Sequence, residues 1–127
     1  MEESLIRNFI KKERQERLLH LINSKKGRNK LRQRLSHFLE FNERYIHKIP
    51  ANQQTSDAIL KLLINKGATD SCYLISEDPE LDGKTLPLNT ALDKVVGFGM
   101  CTIICCNPNK LAYYEGEEPK ERYLLTK

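Results

Sequence analysis

Six cations fall within ten residues of this chain, Lys25, Lys26, Arg28, Lys30, Arg32 and Arg34, and they are its strongest chemical signal. Ammonium and guanidinium groups at that density neutralise phosphates, release counterions and give a salt-dependent affinity that reads no bases. Residues 1–48 carry 13 Lys and Arg against 6 Asp and Glu, whereas residues 49–127 carry 8 against 11, so the net charge of +4 hides a basic first half and an acidic second half. Such a split fits a surface that meets an acidic partner, most simply nucleic acid. No aromatic residue interleaves the basic run, so the base stacking used by single-strand readers is not indicated. Phe38, Phe41 and Tyr45 have the spacing of core residues.

The other reactive residue types point less far. Glu77 and Asp78 close an apolar run, and in an open sheet of parallel strands they would line the crevice at the strand ends together with Asn107. Glu115, Glu117 and Glu118 would then lie at the opposite end. The loop Asp78–Gly83 has alternate carboxylates and a glycine in sixth place, as a calcium loop requires, but its twelfth position is Asn89 and not a bidentate Glu. Cys72, Cys101, Cys105 and Cys106 fall in apolar runs and read as reduced, buried thiols. The adjacent Cys105–Cys106 pair lacks the spacing of a zinc site, and strand alternation sends Cys101 and Cys105 to one sheet face and Cys106 to the other. His20, His37 and His47 have no Cys or carboxylate at ligand spacing and read as surface or boundary residues. Gly97–Phe98–Gly99 ends a helix, so it is no phosphate cradle. The residues assign no catalytic group, metal or cofactor.

These residues need elements to place them. A chain of 127 residues, 39% apolar and 30% charged, has the size of one domain with a real core. No run approaches the roughly 18 apolar residues of a membrane span, and the start lacks an apolar secretory core, so a soluble, cytoplasmic protein is expected. Apolar periodicity predicts a helix over about 2–23 with a polar middle, and a second over about 28–46 with Leu31, Leu35, Phe38, Leu39, Asn42 and Tyr45 as its stripe. Together they predict a basic helical hairpin over 1–48, with Gly27 as the stop between its arms. Thr55 reads as the N-cap of a third helix that Gly67 ends. Its apolar residues Ile59, Leu60, Leu62, Leu63 and Ile64 surround most of its circumference, which places it between the sheet and the hairpin. Strands are predicted at 71–76, 100–106 and 110–115, the last two as a hairpin turned by Asn107–Pro108–Asn109, with 123–125 as an added edge. A helix over 87–96 between the first two strands predicts a parallel crossover. The expected architecture is α/β, with a small mixed three- to four-stranded sheet in a core spanning 55–127.

Within that core, Ser56–Asp78, SDAILKLLINKGATDSCYLISED, resembles the helix, Gly-Ala, strand signature in the C-terminal domain of archaeal and eukaryotic peptide-chain release factors. Relatives of that domain include the kink-turn-binding ribosomal proteins. The corresponding positions are the helix Ala58–Lys66, the step Gly67–Ala68, the strand Ser71–Ser76 and the acidic Glu77–Asp78. Kink-turn binders contact RNA with a glycine, asparagine, glutamate run at the start of that helix, where this chain has Gln53, Gln54, Thr55, Ser56 and Asp57. The glycine, glycine, glutamine tripeptide of release factors is not found here. The resemblance therefore implies a binding role and no release activity. The expected function is a non-enzymatic binding module that contacts RNA, the ribosome or a protein partner through its basic hairpin. The alternatives are a small metal-dependent or hydrolytic enzyme using Glu77 and Asp78, and a structural subunit that dimerises.

Overall fold

A six-stranded sheet runs through the middle of the molecule, with a separate apolar core on each face. The computed structural model describes residues 1–36, 38, 40–118 and 120–127, so His37 and Leu39, both read above from the sequence, and Pro119 lie outside the described residues. In chain order the elements are α1 (Glu2–Phe9), α2 (Lys12–Ile22), α3 (Lys25–Gln33), β1 (Ile46–Lys48), α4 (Ser56–Asn65), β2 (Ser71–Ser76), β3 (Thr85–Pro87), α5 (Leu88–Val95), β4 (Thr102–Cys106), β5 (Leu111–Glu115) and β6 (Arg122–Thr126). The spatial order is β1-β6-β5-β4-β2-β3. Every neighbouring pair is antiparallel.

The α/β class stands, but the expected parallel crossover from the first long strand is overturned. Cys72 lies opposite Cys106 and Ser76 opposite Thr102, so β2 and β4 run in opposite directions. The chain reverses first in the turn after β2, where Gly83, at φ +76°, donates its N–H to Leu74, and Leu74 donates to Lys84. That turn produces β3, and α5 then carries the chain from β3 across β2 to β4. The crossover exists and joins two strands of like direction, but it starts one strand later than predicted. The β4–β5 hairpin forms as expected. Tyr123, Leu124 and Leu125 do form a strand, β6, which β1 covers, so it is no edge.

The N-terminal segment departs furthest from its periodicity. A straight helix over 2–23 would be about 33 Å long and would hold its two apolar ends apart. Instead the chain breaks at Ile10, whose backbone is extended and bridges Phe41. Lys11 and Asn42 make backbone bonds with Glu40 and Phe9 across that bridge, and the Gln15 amide donates to the Ile10 carbonyl at 3.0 Å. Leu5, Ile6 and Phe9 of α1 then join Leu18 of α2 in one core. The predicted helix over 28–46 shrinks to α3, which starts earlier because the Ser24 hydroxyl accepts from the Gly27 N–H. Beyond Arg34 the chain forms no α-helix among the described residues as far as β1, only a short 3-10 turn over Glu43–Tyr45, and Leu35, Phe38 and Phe41 are buried. Tyr114 holds it there, donating its hydroxyl to the Leu35 carbonyl and accepting from the Phe38 N–H.

Gly27 is no stop. It sits inside α3, where an added Cβ would lie 2.3 Å from the Leu21 carbonyl oxygen and 2.9 Å from the Leu21 Cα. Gly27→Ala should therefore destabilise the protein by about 1–3 kcal/mol, the cost of overpacking a site whose neighbours are backbone, as urea unfolding would show.

The third expected helix is α4, with Thr55 accepting from Ala58 N at 3.1 Å as its cap and Gly67 at φ +101° just past its end. It is not sandwiched between the sheet and the N-terminal helices. Ile59 and Leu63 are buried with α5 against one sheet face, α1, α2 and α3 cover the other, and Ile64 is exposed. Among the described residues no helix is long and apolar enough to cross a membrane.

Candidate functional site

The predicted basic segment becomes α3, and the helix divides its cations between two tasks. Gly27, Leu31 and Leu35 face the core, and Arg28 and Arg32, each one residue further on, lie along the flank of that buried stripe. The Arg28 guanidinium donates to Glu2 at 2.7 Å and also bonds Asp82, while the Tyr73 hydroxyl donates to the same Glu2 carboxylate. Asp82 chiefly, with Glu2, raises the affinity of Arg28 for its proton against the opposing effect of burial. Arg32 donates to the Ser76 and Glu77 carbonyls at 2.8 and 3.1 Å and lies 3.4 Å from Asp82. These two arginines fasten α3 and the first residues of α1 to β2 and the following turn.

Lys25, Lys26 and Lys30 point the other way. With Asn29 and Gln33, at three- and four-residue steps, they line a shallow depression of about 540 Å³ on the outer face of α3. All five residues are exposed, and none of the three lysines makes an ion pair with another described residue. Arg34 is exposed at the C-terminal cap of the helix. Of the six predicted cations, then, the fold leaves Lys25, Lys26, Lys30 and Arg34 facing solvent and commits Arg28 and Arg32.

The predicted acidic pair is placed differently from its expectation. Glu77 accepts from the Cys101 N–H at 2.8 Å, across to the start of β4, and Asp78 accepts from the Glu80 N–H at 2.9 Å within the turn after β2. Because β2 and β4 are antiparallel, Asn107 lies at the other end of the sheet, where its carbonyl accepts from Thr69, and the expected three-residue crevice is not assembled. The same reversal brings Glu77 to the sheet end that Glu115 occupies, since Thr102 is opposite both Ser76 and Glu115. Among the described residues no three His, Cys, Asp or Glu side chains converge as a metal-binding group. Cys101 and Cys105 do face one core and Cys106 the other.

A second polar feature went unread in the sequence. Ser76, Thr102 and Glu115 are the buried polar residues among those described, and they stand side by side across β2, β4 and β5 on the α5 face of the sheet. The Ser76 and Thr102 hydroxyls are 2.7 Å apart. Glu115, 1% exposed, accepts from the Tyr113 hydroxyl at 2.7 Å and from the Gly97 N–H at 3.1 Å, and Arg122 Nε lies 3.4 Å from it. Burial pushes the Glu115 carboxyl above its ordinary value, against the opposing pull of Tyr113, Arg122 and Gly97. Arg122 also donates to the Gln54 backbone and side-chain oxygens. The available signal was a carboxylate in phase with Leu111 and Tyr113 on an otherwise apolar strand. Compared with protein-family models, curated proteins and solved structures, this chain finds no match.

Proposed function

We propose that this protein is a non-enzymatic, cytoplasmic binding module whose α3 outer face contacts the phosphate backbone of RNA, free or in the ribosome. The observation that carries the reading is the exposed set Lys25, Lys26 and Lys30, unpaired with described residues and interleaved with the hydrogen-bonding side chains of Asn29 and Gln33. Three mobile ammonium groups on one helical face act as point charges toward phosphates, and the amides add contacts to phosphate or sugar. Because no aromatic side chain lines that depression, the contact is to backbone and carries little sequence preference. The helix, Gly67–Ala68, strand segment that resembles release-factor domains is present as α4 and β2, and a binding role agrees with that likeness.

The test is filter binding of a structured RNA across a salt series, comparing the natural chain with Lys25→Gln/Lys26→Gln/Lys30→Gln. Arg28 and Arg32 are left intact because they hold the fold. The log–log salt slope should become shallower by roughly 2–3, at about 0.7–0.9 for each phosphate no longer neutralised, and affinity near 0.1 M salt should fall at least roughly tenfold. Unchanged slope and affinity in a variant of unchanged melting temperature would remove α3 as the interface.

A further inference from the structure

The neighbouring strands β2 and β4 bring two of the four cysteines into direct opposition. Cys72 is paired with Cys106, Leu74 with Ile104 and Ser76 with Thr102. Leu74 spends both backbone groups on its other neighbour, donating to the Lys84 carbonyl at 2.9 Å and accepting from Gly83 N at 2.8 Å. Residues 72, 74 and 76 therefore form non-hydrogen-bonded pairs with β4, the type in which Cα atoms stand about 4.5 Å apart and side chains approach most closely. The Ser76–Thr102 pair measures this directly, with its side-chain oxygens 2.7 Å apart. Cys72 and Cys106 repeat that geometry four residues along the same face, both inside the core beneath α4 and α5. A disulfide requires Cα atoms about 4.4–6.8 Å apart, so this pair needs only side-chain rotation. Cys101 and Cys105 face the opposite core, and Cys105 stands across from Tyr73 and Ala112.

We propose that Cys72 and Cys106 form an oxidation site, at which a small-molecule disulfide closes a cross-strand bond and leaves Cys101 and Cys105 as thiols. The thiolate of one cysteine attacks a sulfur of the reagent, forming a mixed disulfide and expelling one reagent thiolate. The thiolate of the other then attacks the protein sulfur of that mixed disulfide, forming the Cys72–Cys106 bond and expelling the second. The protein loses two electrons and two protons, and the reagent leaves as two thiols. Burial raises the Cys72 thiol to about 11 and, with the neighbouring Cys72, the Cys106 thiol to about 12. Attack in the folded state is therefore slow. Beside Cys72 in the sheet lies β3, three residues long, whose Leu86 carbonyl accepts from the Cys72 thiol at 3.5 Å.

The 127-residue chain, reduced and denatured, is refolded in an excess of oxidised over reduced glutathione, alkylated, and mapped as peptides without reduction. The expected product is a linked Cys72–Cys106 peptide pair two hydrogens lighter than its parts, with Cys101 and Cys105 alkylated. Its melting temperature should be roughly 5–10 °C above that of the reduced protein, from the loop that the bond closes. Cys101→Ser/Cys105→Ser should retain the linked pair, and Cys72→Ser should abolish it. Full alkylation of Cys72 and Cys106 in the refolded protein, or linkage dominated by Cys101 or Cys105, would overturn the proposal. Refolding bypasses the closed native state, so a missing bond could not be blamed on access.

Discussion

Arg122→Met should destabilise the protein by about 3 kcal/mol at pH 8 and by much less at pH 4, because the variant strands a buried carboxylate. Glu115 is almost fully enclosed, and Arg122 is the cation beside it. Its carboxyl already binds a proton more tightly in the folded chain than the ordinary value of 4.5, chiefly through burial. The folded protein thus keeps a proton that the unfolded chain has released. Stability contributed by that proton is present below pH 4.5 and is lost as pH rises through the raised folded value. Removing the guanidinium lifts the folded value further, so the penalty grows with pH. Thermal melts of both proteins from pH 4 to pH 8 would show it. A deficit independent of pH would mean that Arg122 acts through packing and its bonds to Gln54 and that its charge does not hold Glu115.

The second large effect belongs to Arg28. Arg28→Ala should lower stability by about 3 kcal/mol, or roughly 10 °C in melting temperature, by leaving Glu2 and Asp82 facing each other without their shared cation. The guanidinium side chain is 21% exposed and its two partners are 15% and 9% exposed, so water only partly replaces it. Arg28→Lys should recover little, since a single ammonium cannot reproduce a fork that grips two carboxylates. Glu2 ties down the first residues of α1, and hydrogen exchange in α1 should accelerate along with the loss. A melting temperature within about 2 °C of the natural chain would show that the ion triad contributes little.

The two arginines also show what could be read in advance. The density of positive charge on residues 25–34 was plain, and its division was not, because it depends on where Asp82 lies, 54 residues further on. A hint existed in the four-residue spacing of Arg28 and Arg32 beside Leu31 and Leu35. The helix α4 was legible because its cap, its apolar run and its terminating glycine agree. The strands β2, β4 and β5 were legible as continuous apolar runs, and with them the cysteine faces. The segment 34–46 misled because Leu31, Leu35, Phe38 and Tyr45 recur at helical steps, while the force that decides the issue comes from Tyr114, 79 residues beyond Leu35. The direction of β4 was illegible for a simpler reason. A turn-rich stretch after β2 serves a reversal as well as a crossover, and no local residue distinguishes them. Its consequence was large, since it moved Asn107 away from Glu77 and put Glu115 at the same sheet end.

The outermost strands of the sheet, β1 and β3, are each three residues long. One ends in exposed His47 and Lys48, the other in Pro87, which has no N–H to offer. The greasy strands SCYLIS, TIICC and LAYYE are all interior. A foreign chain seeking to extend the sheet meets only a short template that is charged on one side and interrupted by proline on the other. The fold thereby keeps its most amyloid-prone sequences out of reach for as long as the borders stay paired.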